Sequence, residues 1–163
     1  MSGAPRTVSA ALTWSDKFLL GYAPMDRTHE EFVACVAALQ AATDAELPAC
    51  LETLAAHCAR HFQQEEQWMA GTEFPSAQCH ADEHAAVLTS VHEVQALWGQ
   101  PEHAARAAAV ARNLAQALAD WFPGHADYMD AALSHWMAKR NLGGTPVVLR
   151  RGVAAAAVGP ATD

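Results

Sequence analysis

The chain has 163 residues and a formal net charge of −8, with 10 Lys and Arg against 18 Asp and Glu. That acidic balance argues against a nucleic-acid backbone or an anionic membrane as the main partner. No stretch approaches the roughly 20 uninterrupted apolar residues of a membrane span. The length suits one domain with a proper core, and abundant Ala with few β-branched runs predicts an all-α fold. The N-terminus lacks a charged-then-apolar signal pattern, so the expected location is cytoplasmic. Cys35, Cys50, Cys58 and Cys79 form no CxxC pair and are expected to be free thiols.

Residues 1–13 are small and polar and are expected to be loose. Gly21 and Pro24 then mark an extended arm, with Asp26 as N-cap of a first helix over about Arg27 to Ala42. Phe32, Val33, Val36 and Leu39 form its apolar stripe. A second helix starts near Glu46, tolerates Pro48 in its first turn and stops at Gly71. The third is expected from about Ser76 to Trp98, and the fourth from Pro101 or Glu102 to Phe122. Pro123-Gly124 is poorly suited to a helix interior, so a kinked last helix is predicted, resuming to about Arg140. Short loops force sequential helices to run oppositely, which gives an antiparallel up-down four-helix bundle. The domain is expected over 14–140, with an irregular tail over 141–163 that includes a short strand or docking segment at Val147–Leu149 as an alternative.

The polar residues of the inner faces carry the chemistry. His61 and Glu65 are four apart, as are His80 and His84, so each pair stacks on one face of its helix. His29 lies on the inner side of the first helix, and His125 with Asp130 follows the Pro-Gly break. A spacing of five swings the second side chain about 140° from the first on a regular helix. The His125–Asp130 pair therefore requires a local distortion or two different ions to serve. Five imidazoles and two carboxylates facing one core would cost about 1–3 kcal/mol each if unpaired, and more if charged. Metal ions are the economical partner.

The segments WSDKFLLG, GYAPMDRTHEEF, HFQQEEQWM, PSAQCHADEH and WFPGHADYMD, in that order, resemble the hemerythrin domain family. The resemblance covers about Trp14 to Trp136 and is strongest to single-domain bacteriohemerythrins. This chain departs from the family at Thr28, where Gln is usual, at His57, where an aromatic is common, and at Ala126, where Ile usually follows the histidine.

The resemblance implies a non-haem di-iron centre with a bridging oxo or hydroxo group. It places His80, His84 and His125 on a filled iron, and His29 and His61 on an iron with an open position. Glu65 and Asp130 would bridge them, with Glu66 and His57 outside the ligand set. It implies reversible dioxygen binding rather than turnover: an oxygen carrier, store or supplier to an oxygen-consuming enzyme. Phe32, Phe62, Met69 and Trp121 are the expected apolar lining of the oxygen pocket, with plain core packing as the alternative. The competing readings are an oxygen or redox sensor with a signalling partner, a di-iron enzyme acting on peroxide or nitric oxide, and a bundle holding zinc adventitiously. An enzyme would want a proton donor near the open position, for which Tyr22, Tyr128 and His57 are the candidates.

Overall fold

The computed structural model describes residues 10–143. Residues 1–9 and the tail from 144 on, including Val147–Leu149, lie outside the described residues. Within them the secondary structure is helical throughout, with no strand. Four long helices follow in order: α1 (Ala23–Ala41), α2 (Leu47–Thr72), α3 (Ala77–Trp98) and α4 (Ala104–His125). A π-helical turn, Ala126–Asp130, joins α4 to α5 (Ala131–Leu142), so the last three segments form one continuous rod. The connections are short, and α1 packs on α2 and α4 while α3 packs on α2 and α4. This closes the four-helix, up-down bundle that the apolar periodicity predicts.

The start of α1 differs from the sequence expectation. Pro24 sits inside its first turn, where a missing N–H is harmless, so the helix begins at Ala23. Asp26 caps the arm rather than the helix: its carboxylate accepts the backbone N–H of Leu20 at 2.7 Å and of Gly21 at 3.0 Å. Gly21 allows this turn with φ at 85°. The arm is anchored further by Phe18, whose ring lies 5.2 Å from that of Phe122. Leu12 is also held, its N–H donating to Gln40 Oε1 at 2.8 Å, so the ordered arm begins earlier than the loose segment expected to Thr13.

Gly71 does not stop α2. The helix runs on to Thr72, and Glu73 takes the left-handed conformation (φ 54°) while the Phe74 N–H donates to Met69 O at 2.9 Å. That bond satisfies an end carbonyl at a non-glycine cap. The irregularity expected at Pro123 is found three residues on, because α4 carries Pro123 within it and widens only after His125.

The core is divided. One apolar cluster includes Phe32, Val36, Leu39, Leu51, Leu54, Val91, Leu118 and Phe122. A smaller one, Tyr22, Met25, Met69, Phe74, Leu133 and Met137, lies beyond Glu65 along α2. Between them is a polar layer. Replacing Asp26 with Ala should leave two backbone N–H groups of the arm unpaired and destabilise the metal-free protein by about 1–3 kcal/mol in urea titrations; an unchanged midpoint would contradict this role.

Candidate metal centre

The polar layer contains His29 from α1, His61 and Glu65 from α2, His80 and His84 from α3, His125 at the end of α4, and Asp130 at the end of the π turn. None is more than 5% exposed. The α2 and α3 pairs need only regular helix. The pair spaced by five is brought together by the wider turn, whose Ala131 N–H donates to Ala126 O in the i→i+5 pattern. All seven residues singled out from the sequence therefore meet in one place.

The two carboxylates organise this layer by dividing their oxygens. Glu65 Oε1 lies 2.8 Å from His61 Nε2 and 3.6 Å from His29 Nε2. Its other oxygen, Oε2, lies 3.3 Å from both His80 Nε2 and His84 Nε2. Asp130 repeats the division: Oδ2 is 3.1 Å from His29 Nε2, and Oδ1 is 3.0 Å from His80 Nε2 and 3.2 Å from His125 Nε2. Two overlapping donor sets result, Glu65 with His80, His84, His125 and Asp130, and Glu65 with His29 and His61.

Most of these close approaches are not hydrogen bonds. The Nε2 atoms of His29, His80, His84 and His125, both Asp130 oxygens and Glu65 Oε2 are buried without a hydrogen-bond partner. So many convergent lone pairs in a dry interior require a cation. In the metal-free protein, protons take that role. Burial alone would lower the His29 pKa, but contacts with Asp130 and Glu65 outweigh it and raise it to about 10. The same opposition raises His80 to about 9. Burial likewise works to raise the Glu65 and Asp130 pKa values, yet the surrounding imidazoles hold both carboxyls well below their ordinary range. The donor set fits metal ions, with nitrogen and oxygen donors suited to iron, zinc or manganese.

Aromatic rings seal the layer. Phe62 stacks on His84 with centroids 4.0 Å apart, and Trp121 on His125 at 4.2 Å. Phe32 packs against His61, Trp121 and Phe122. Of the expected lining residues, Phe32, Phe62 and Trp121 thus touch site imidazoles, whereas Met69 is buried in the second cluster. Phe122, edge-on to His29 at 5.3 Å, was not anticipated; its place on the apolar stripe of α4 was the available signal. His57 is buried beside His61, and burial, with the nearby His61 and Arg60 charges, lowers its pKa to about 4. It lies outside both donor sets. Glu66 is half exposed, 3.6 Å from His84 Nδ1. Glu83, whose Oε2 is 2.8 Å from His125 Nδ1, was also not anticipated, because an acidic residue beside a ligand on a helix reads as solvated surface. His92 and His135 are exposed and His103 half-buried, away from the layer.

Comparisons with known proteins point to one family. The hemerythrin HHE cation binding domain matches residues 20–136. A bacteriohemerythrin from Ralstonia nicotianae is 33% identical over 130 residues, covering 80% of this chain and 91% of that protein. No solved structure matches the chain.

Because His29 and His80 hold protons up to about 10 and 9, a metal ion must displace them. Affinity for Co²⁺ should therefore rise from neutral pH toward about 9, by up to about tenfold per pH unit for each displaced proton, with proton release in weakly buffered calorimetry. A flat profile with no proton release would contradict this assignment.

Proposed function

The chain belongs to the hemerythrin family, and from that premise we propose that it binds dioxygen reversibly at a non-haem di-iron centre, as a carrier, store or supplier of oxygen. The observation that carries this reading is the division of each buried carboxylate between two groups of imidazoles. His80, His84 and His125 would hold one iron, His29 and His61 the other, and Glu65 and Asp130 would bridge them, together with a solvent-derived oxo or hydroxo group. Two ferrous ions held there would supply the two electrons that reversible dioxygen binding requires, one from each.

The residues of the chain determine what the site can do. Three imidazoles on one side and two on the other make the donor sets unequal, so an ion held by His29 and His61 would have fewer protein donors and would keep a position open. Glu65 and Asp130 stay ionised because five imidazoles or their metal ions surround them. Phe32, Phe62, Trp121 and Phe122 exclude water from the imidazoles, and a low dielectric disfavours any step that brings a charge in or out. Binding and release that move electrons and a proton only within the site meet that restriction.

The three candidate proton donors of the enzyme reading are placed differently. Tyr128 is 83% exposed, and the Tyr22 hydroxyl accepts a hydrogen bond from Asn141 Nδ2 at 3.2 Å. His57 adjoins the site, buried beside His61. Among the described residues no helix is long and apolar enough to cross a membrane. The four cysteines are free, which supports work in the reducing cytoplasm.

Replacing His61 with Ala should leave one iron per chain in place of two and abolish the colour change with dioxygen. Iron analysis and visible spectroscopy of the reconstituted protein check this. Retention of both irons and full oxygen binding would overturn the ligand set.

A further inference from the structure

Among the imidazoles of the metal layer, His125 is held differently from the rest. The Nδ1 atoms of His29, His61, His80 and His84 are all buried without a hydrogen-bond partner. His125 Nδ1 instead faces Glu83 Oε2 at 2.8 Å, across the interface between α4 and α3. Glu83 precedes His84, so its side chain leaves the helix about 100° round from that ligand and reaches outward to α4 rather than into the core. Its side chain is 42% exposed, while that of His125 is 2% exposed.

The position of His125 gives this contact a purpose. The other four imidazoles project from regular helix, three of them paired at four-residue spacing with another donor of the layer. His125 stands at the last residue of α4, where the backbone passes into the wider π turn. Two contacts restrain its ring, one from its own helix and one from across the interface. Trp121 supplies one, stacking on the ring with an interplanar angle of 27°. The Glu83 carboxylate supplies the other by accepting a hydrogen bond from Nδ1–H. That fixes the tautomer: with the proton on Nδ1, the lone pair is on Nε2, which faces Asp130 Oδ1 at 3.2 Å.

We propose that Glu83 is a positioning residue of the metal centre, a carboxylate that orients His125 and raises its basicity as a ligand to the ion it would share with His80 and His84. The proposal rests on the di-metal reading above. Carboxylate partners of this kind change metal affinity by about 10–100-fold when removed. Glu66 is the internal comparison: it also approaches a ligand Nδ1, that of His84, but at 3.6 Å, beyond hydrogen-bond length.

The test is a Co²⁺ titration of the metal-free full chain against a competing chelator, followed by optical and paramagnetic proton spectra. The wild type should take up two ions and show a slowly exchanging, shifted imidazole N–H from His125. Glu83→Ala should bind one of the two ions about 10–100-fold more weakly, lose that N–H signal and melt with the wild type when metal-free. Glu83→Gln, which keeps an acceptor oxygen without the charge, should retain the signal with a smaller loss of affinity. Glu66→Ala should leave both affinities within about threefold of wild type, as expected where no hydrogen bond is broken. Wild-type affinity for both ions in Glu83→Ala would overturn the proposal alone. So would equal losses at both ions accompanied by a lowered metal-free melting temperature. A wild type that takes up no pair of ions would overturn the metal centre itself.

Discussion

Two ionised carboxylates with no exposed surface, Glu65 and Asp130, share one layer of this bundle, and much of the structure answers to them. Buried carboxylates on their own would take up protons or unfold the chain, because moving such charges out of water costs several kcal/mol or more each, as an order of magnitude. Here the five surrounding imidazoles reverse that tendency and hold both groups ionised. The layer is thus a set of negative charges waiting for cations, which protons on His29 and His80 supply when metal is absent. Its charge balance connects the metal-free protein to the loaded one.

Bringing those groups to one level demands specific local structure. Regular helix suffices for His61 with Glu65 and for His80 with His84. The last two donors need a turn wider than the α-helix, and the π segment Ala126–Asp130 provides it. The extra residue costs regular hydrogen bonding in one turn, in exchange for placing Asp130 Oδ1 near His125 and Oδ2 near His29. The apolar clusters on either side then fix the layer in place. The larger cluster, with Phe32 and Phe122, keeps water from the His29–His61 side, and the arm closes it through Phe18.

The sequence made some of this legible and not the rest, for physical reasons. Spacings of four are unambiguous because helical geometry converts them directly into shared faces, so the bundle and the α2 and α3 pairs could be read. The five-residue spacing was legible as an anomaly, but Pro123 drew attention to the wrong residue. Proline tells where an N–H is missing, not where a turn will widen. Asp26 could cap its own helix or the arm before it, and only the folded arm decides between them. Met69 was placed correctly inside the bundle but not along it, since periodicity gives the face of a helix and not what its neighbours set opposite. Glu83 acts across two helices and leaves no periodic trace at all.

We propose that this layer holds two irons that bind dioxygen reversibly. The most direct measurement is the visible spectrum of iron-loaded protein, reduced without oxygen, exposed to air and then deoxygenated, with iron counted on the same sample. Two irons per chain are expected, with a colour band that appears with air and disappears when oxygen is removed. Irreversible conversion to an oxidised form on first contact with air, or a colourless protein holding zinc in place of iron, would contradict it.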